Sequence, residues 1–169
     1  MASTAFTSAK IIGLTGAAWL SGTIASISLV SVPAITRCIE EDSLAASHGI
    51  KLWRKNFELG KGLAPPIALA TAASLSFCGW RERGIPTTGI RDGRLFFVSA
   101  ALTVAIVPFT IFFMSSTNTK LLSLAKKDEL TSSDSREGEA LLKRWTLLNG
   151  LRSFLPLAGA VLAGFLVLG

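Results

Sequence analysis

The chain has 169 residues, half of them hydrophobic, and its mean hydropathy is +0.52. That composition is too apolar for an ordinary soluble domain of this length. The net charge of +6 does not indicate nucleic-acid binding, because the basic residues flank apolar runs and form no aromatic-interleaved stripe.

Charged residues are absent from four stretches of the chain, each about long enough to cross a bilayer as a helix. These stretches are Ile11–Thr36, Gly62–Trp80, Leu95–Thr119 and Ser153–Gly169. They predict an all-α fold, a four-transmembrane-helix antiparallel bundle in one domain over residues 1–169. The predicted spans cover about residues 10–35, 57–79, 95–116 and 147–168. A soluble bundle of buried helices is the less favoured alternative, because even one all-apolar helix is unusual in a small soluble fold.

The first two spans differ in character. The first contains GLTGAAWLSGTIASISLVS, whose small residues allow close helix packing in lipid. After it, Ser43 is a predicted N-cap for a helix that begins at Leu44 and continues into the second span. Pro65 and Pro66 are expected to kink that helix, because proline cannot donate to the backbone hydrogen-bond ladder.

The third span carries Pro108 and Thr110 and ends in the polar run Ser115–Asn118. In the loop that follows, SSDSREGE (residues 132–139) predicts a solvated turn. Loops one and three hold 11 Lys and Arg residues, whereas loop two and the N-terminal tail hold five. The positive-inside rule therefore predicts that loops one and three are cytosolic.

The last span carries polar residues on one face. Trp145, Asn149, Arg152 and Pro156 fall within an arc of roughly 60° on a helix. A charge at membrane depth is costly and normally faces a partner or a wet cavity, so this face is predicted to point inward. The expected partners of Arg152 are the Ser115–Asn118 run or Glu58. The alternative is that Arg152 snorkels to the interface.

His48 is the single histidine of the chain and the natural candidate for a general base near neutral pH. Its loop is predicted to lie on the same side of the membrane as Asn118 and the Trp145–Arg152 face. An exposed loop histidine without a catalytic role is the alternative. No metal-ligand spacing, nucleotide-binding loop or serine nucleophile motif is present, so the sequence predicts neither a metal site nor a nucleotide cofactor.

Three stretches carry a resemblance to a known family: WRKNFELGKGLAPPIA (53–68), VPFTIFFMSSTNTKLLSL (107–124) and LLKRWTLLNGLRSFLPLAG (141–159). In their order and spacing they resemble the DUF1772 group of small four-span membrane proteins, which includes fungal anthrone oxygenases of polyketide pathways. The resemblance implies a monooxygenase of secondary metabolism that oxidises an anthrone to its anthraquinone with O₂ and without a cofactor.

Within that resemblance, the catalytic residues are predicted to be His48 as base, with Arg152 and Asn149 stabilising the substrate oxyanion. Asn118 would assist them, and Trp145, Trp53 and Phe109 would stack on the tricyclic substrate. The expected partners are the anthrone, O₂ and the lipid bilayer of an endomembrane, and a homo-oligomer is left open. The alternatives are a non-catalytic scaffold for a polyketide pathway and a carrier of an aromatic metabolite.

Overall fold

The structure is a computed structural model that describes residues 4–83 and 92–168, and all regular elements in these ranges are helical. The all-α prediction is therefore confirmed. The elements in chain order are α1 (Thr4–Ser26), a π-helical turn (Ile27–Ser31), α2 (Val32–Glu41), α3 (Ala46–Glu82), α4 (Leu95–Val104), α5 (Ile106–Phe109), a second π-helical turn (Thr110–Met114), α6 (Ser115–Leu124) and α7 (Ser132–Leu168). Most of loop two lies outside the described residues.

Four helical segments in the described ranges are long and apolar enough to cross a membrane: Thr4–Glu41, Ala46–Glu82, Leu95–Leu124 and Ser132–Leu168. Large apolar side chains on them are exposed, among them Leu29, Phe112 and Phe165. Lipid, rather than water, is the solvent that accommodates such a surface. These are the features of a multi-pass membrane protein.

Two predictions about loop-one and loop-three boundaries are wrong. The helix expected from Leu44 begins at Ala46, because Ser43 has a positive φ of 57° and so lies in the left-handed region. SSDSREGE is not a turn but the start of α7. A reciprocal capping pair explains this start: the Thr131 hydroxyl accepts from the Asp134 N–H, and the Asp134 carboxylate accepts from the Thr131 N–H, each at 3.1 Å.

Two other prolines lie close to interruptions of the helices. α3 is one helix through Pro65 and Pro66, and the kink expected there stays a prediction. The interruptions lie in the first and third spans, where α4 ends at Val104, four residues before Pro108, and a π-helical turn precedes Pro33. In each case the proline lacks the N–H that would bond to the carbonyl four residues back.

The described helices form two compact units by their internal contacts. The first contains residues 1–22, 63–108 and 153–169, and its core includes Leu75, Phe96 and Ala163. Small side chains allow close packing there, since a Cβ at Gly16 would clash with Thr71. The Ser99 hydroxyl donates to the Gly159 carbonyl at 3.0 Å, which satisfies a polar group inside an apolar core.

The second unit contains residues 23–62 and 109–152. Its core is built around two indoles, Trp53 and Trp145, with Met114 and Leu142. Gly138 lets α7 approach α3 in this unit, because a Cβ there would clash with Ile50. Trp145, Asn149 and Arg152 of the polar face predicted from the sequence lie in this unit, whereas Pro156 belongs to the first.

Candidate active site

Asn149 is fully buried in the second unit and its orientation is fixed by hydrogen bonds. Its Nδ2 donates to the Ile24 carbonyl at 3.0 Å and to the Ser28 hydroxyl at 2.7 Å. A carbonyl can only accept, so the amide nitrogen, not the oxygen, must face Ile24. The Asn149 Oδ1 therefore points away from these partners as an available acceptor.

Arg152 lies one turn further along α7 and is partly buried. Its Nη1 donates to the Thr110 hydroxyl at 2.8 Å. The predicted partners were wrong: Asn118 pairs with Trp145, and Glu58 lies 3.2 Å from Arg54. The inward orientation of the face is nevertheless as the helical spacing predicts, because Trp145, Asn149 and Pro156 are buried and Arg152 is not exposed.

Two of the three hydrogen bonds that Asn149 and Arg152 make involve π-helical turns. Ser28 belongs to the first turn, and Thr110 is the first residue of the second. A π-helical turn widens the helix and shifts the backbone register, and such turns are frequent at functional sites. Sequence reasoning assigned no role to Ser28 or Thr110. The available signals were Pro33 and Pro108, which disturb the helices close to these two residues.

The aromatic residues predicted for substrate binding pack beside this face. Trp145 Nε1 donates to Asn118 Oδ1 at 2.9 Å, so these two residues hold each other in place. Trp53 meets Trp145 edge-on with ring centroids 5.7 Å apart and stacks on Phe57 at 5.3 Å. Phe109 packs against the same core. The structure thus brings Trp53, Trp145 and Asn118 together.

Four buried side-chain nitrogen or oxygen atoms lack a hydrogen-bond partner among the described residues: Trp53 Nε1, Arg54 Nε, Asn149 Oδ1 and Arg152 Nε. Three of them belong to residues predicted for the site. Leaving a buried polar atom unpaired costs about 1–3 kcal/mol, so native proteins seldom leave several in one region without a role. The unpaired atoms of the predicted site residues are thus two donors, on Trp53 and Arg152, and one acceptor, on Asn149.

His48 lies elsewhere in the second unit. It is exposed and lines a groove with Lys51, Lys55 and Lys126. Trp53 touches Trp145, and α3 and α7 run in the same direction from there, as the approach of Ile50 to Gly138 also indicates. His48 precedes Trp53 by five residues, and Arg152 follows Trp145 by seven. Since the two tryptophans lie at the same level, His48 and Arg152 are separated along the helix axes by about 12 residues, or about 18 Å at 1.5 Å per residue. The structure does not bring His48 to the Asn149–Arg152 face.

Within the described part of the chain, no three His, Cys, Asp or Glu side chains lie close enough together to hold a metal ion. Both cysteines, Cys38 and Cys78, are free thiols. The face itself offers hydrogen-bond donors, one acceptor, a guanidinium charge and aromatic rings.

The anthrone oxygenase family matches residues 53–162, which include the whole of this face. The chain belongs to the anthrone oxygenase family. It is 35% identical to the anthrone oxygenase encC of Aspergillus fumigatus, over 94% of this chain and 92% of that protein. It is 30% identical to the monooxygenase hypC of Dothistroma septosporum (90% and 79% covered) and 28% identical to the noranthrone monooxygenase of Aspergillus flavus (88% and 68% covered). No solved structure matches the chain.

Proposed function

We propose that this anthrone oxygenase family member is a membrane-bound monooxygenase that converts a polyketide anthrone to its anthraquinone with O₂. Relatives covered along most of their length are named for that substrate class, as anthrone oxygenase or noranthrone monooxygenase. The single observation that supports the placement of the reaction is the pair of unpaired atoms on α7, Arg152 Nε and Asn149 Oδ1.

The reaction needs little from the protein because the substrate supplies the electrons. Loss of a C10 proton gives an aromatic anthracenolate, which passes one electron to O₂. The resulting radical and superoxide combine to form a C10–O bond, and the peroxide anion takes up a proton. Loss of the second C10 proton with cleavage of the O–O bond then releases hydroxide, which becomes water. One anthrone and one O₂ thus give one quinone and one H₂O, and the scheme uses neither a metal nor a nucleotide.

Arg152 and Asn149 suit the anion in complementary ways. The guanidinium, held by Thr110, directs its free Nε toward the C9 oxygen, where the negative charge of the anthracenolate resides. Asn149 Oδ1 accepts from a hydroxyl group adjacent to that oxygen. Because the guanidinium interacts more strongly with the anion than with the neutral ketone, it lowers the free energy of the deprotonated state.

The aromatic residues and Asn118 complete the proposed substrate site. Trp53, Trp145 and Phe109 would border the tricyclic plane, with Trp53 Nε1 as a further donor. Asn118 acts through Trp145, whose indole it orients. A planar, apolar substrate partitions into lipid, which accounts for a membrane location. The endomembrane location and a homo-oligomer stay predictions.

The role of His48 as general base also stays a prediction. Its separation from Arg152 along the helix axes makes that role directly testable. An imidazole offset from Arg152 by about 18 Å does not contact the same central ring as the guanidinium, because direct proton transfer needs hydrogen-bond distance. The rival mechanism is that Arg152 acidifies the bound anthrone enough for water to remove the proton. His48→Ala distinguishes the two mechanisms.

The activity is tested with washed membranes that contain the chain, incubated with emodin anthrone under air or argon, with and without chelator. Quinone formation above the spontaneous rate, dependent on O₂ and unaffected by chelator, is expected. Arg152→Gln should remove it, whereas Arg144→Gln, an exposed arginine two turns earlier on α7, should not. Wild-type membranes no faster than empty membranes would refute the proposal and favour a scaffold. Retained turnover in Arg152→Gln would place the reaction elsewhere.

A further inference from the structure

A groove of about 420 Å³ opens on the outer surface of the first unit, between α1 and α3. Its lining carries no charged side chain, and Ile12 and Ile67 contribute apolar walls. Trp19 borders the groove with an indole ring that is 58% exposed. A cavity of this volume lies in the range that takes small molecules, and an exposed indole is a flat surface on which an aromatic ring can stack.

The groove lies near the middle of the bilayer. The charge-free part of α3 runs from Gly62 to Trp80, which at 1.5 Å per residue is about 28 Å and matches a hydrocarbon core of roughly 30 Å. Thr71 is the central residue of this run. Gly16 lies at the level of Thr71, since a Cβ at Gly16 would clash with the Thr71 hydroxyl. Trp19 follows Gly16 by three residues, so it lies about 4.5 Å along α1 from the bilayer centre.

The Thr71 hydroxyl is a polar group without a partner in this groove. Thr71 is 2% exposed and lines the groove, and its hydroxyl makes no hydrogen bond with any residue that the structure describes. A threonine or serine in a helix can instead donate to the carbonyl four residues back. The Ser74 hydroxyl does so to Ala70 at 3.0 Å, and the Thr15 hydroxyl, in the same groove, does so to Ile11 at 2.7 Å. Thr71 is therefore an exception on its own helix.

The indole N–H of Trp19 is a second polar group of this kind. It has no acceptor within the described ranges of the chain. Tryptophan in membrane proteins normally lies at the interface, where its N–H reaches water or a headgroup. Neither is present near the bilayer centre, and an unpaired polar group in an apolar medium is costly. The Thr71 hydroxyl and the Trp19 N–H thus border an uncharged groove to which only a ligand can bring a partner.

The depth and the charge of the groove restrict that ligand. Phospholipids and other amphiphiles keep their polar groups at the bilayer surface, so the oxygen atoms of these groups do not reach the level of Thr71. A charged ligand would find no counter-charge among the residues that line the groove. A small, flat, uncharged molecule that dissolves in the hydrocarbon core and carries its own hydroxyl or carbonyl oxygen meets both conditions.

We propose that this groove binds an uncharged planar phenol or quinone from the lipid phase, with an oxygen atom hydrogen-bonded to the Thr71 hydroxyl and a ring against Trp19. The quinone product of the oxidation belongs to this class, so its identification as the natural ligand rests on the proposed function. The binding itself requires neither O₂ nor Arg152.

The test uses the full chain in neutral detergent, with fluorinated tryptophan incorporated so that fluorine NMR follows each indole separately. The probe is 1,8-dihydroxyanthraquinone, and the comparison is anthracene, which has the same three fused rings without any oxygen. The quinone should shift the Trp19 resonance saturably and anthracene should not. Trp80, whose indole is 51% exposed outside the groove, reports non-specific partition and should respond only weakly.

Two variants test the hydrogen bond. Thr71→Val keeps the shape of the side chain and removes the hydroxyl, so it should weaken binding of the quinone at Trp19 by about 3- to 10-fold, the range for one hydrogen bond. Thr15→Val is the matched control in the same groove, because the Thr15 hydroxyl already donates to the Ile11 carbonyl. It should leave the affinity within about twofold.

Equal binding of anthracene and the quinone at Trp19, or equal losses in the two variants, would overturn the proposal, because the Thr71 hydroxyl would then have no part in recognition. A Trp19 shift no more saturable than that of Trp80 would also overturn it, since it would mean partition into detergent only. The comparison of the two probes needs no variant and decides the question if Thr71→Val does not fold.

Quinone formation in membranes is measured separately from this binding. A chain that forms no quinone but whose Trp19 still binds the probe would refute only the proposed function. An active chain whose Trp19 does not respond would refute only the groove as a binding site.

Discussion

Thr110 provides the sharpest test of the α7 face, because in the proposed mechanism it acts only through Arg152. Its hydroxyl accepts from Arg152 Nη1 at 2.8 Å. Thr110→Val keeps the shape of the side chain and removes the acceptor. The guanidinium stays in place and charged but loses the hydrogen bond that directs its Nε.

The size of the effect follows from the kind of hydrogen bond. A bond between a charged and a neutral group contributes about 1.5–3 kcal/mol, so loss of the full contribution from the transition state would lower kcat/KM by about 10- to 150-fold. Arg152→Gln removes the oxyanion donor itself and should lower kcat/KM by about 100- to 1,000-fold. The double variant should be no slower than Arg152→Gln alone, because Thr110 then has no guanidinium to position.

The assay is O₂-dependent quinone formation by the four chains of this cycle, at matched protein levels in membranes. Thr146→Val is the control, since the hydroxyl of the partly buried Thr146 donates to the Leu142 carbonyl of its own helix. Additive losses in the double variant would refute positioning through Arg152. A loss in Thr146→Val as large as that in Thr110→Val would show that the threonine effect is structural.

Three further outcomes are expected. His48→Ala should retain turnover within a few-fold, because its imidazole is offset by about 18 Å from Arg152, and a loss beyond 100-fold would instead establish it as the base. Trp145→Phe should lower the free energy of unfolding in micelles by about 1–2 kcal/mol, because Asn118 Oδ1 loses its 2.9 Å donor; an unchanged unfolding curve would contradict this. Hydrogen bonds, first from Lys127 and then from the Thr131 backbone, lower the pKa of Asp134, so its contribution to the start of α7 is fully present above about pH 4 and is lost as the pH falls through the lowered pKa. The protection factor of the first α7 turn, which is the exchange rate corrected for the slower intrinsic exchange in acid, should therefore fall at low pH, and Asp134→Ala should remove that pH dependence.

Much of the fold can be predicted from the distribution of charge alone. Uncharged runs of about 20 residues are helices in the described ranges, because in lipid every backbone polar group must be satisfied within its own segment. The start of α7 was predicted wrongly, because its composition indicates a turn while two of its residues form a helix cap. SSDSREGE has the composition of a turn, but Thr131 and Asp134 cap a helix there, and Ile50 packs against the surface that Gly138 leaves open.

Helical spacing is enough to predict that Trp145, Asn149 and Arg152 share an inward face, because that spacing is a local property and a charge at membrane depth must avoid lipid. The hydrogen-bond partners of these residues could not be predicted in this way. Ile24, Ser28 and Thr110 are 125, 121 and 42 residues away along the chain, so the contacts depend on how helices pack and where π-helical turns shift their register. The position of His48 beside a cationic groove also depends on packing. The level of a residue on one helix relative to residues on another is set by the contacts between the two helices.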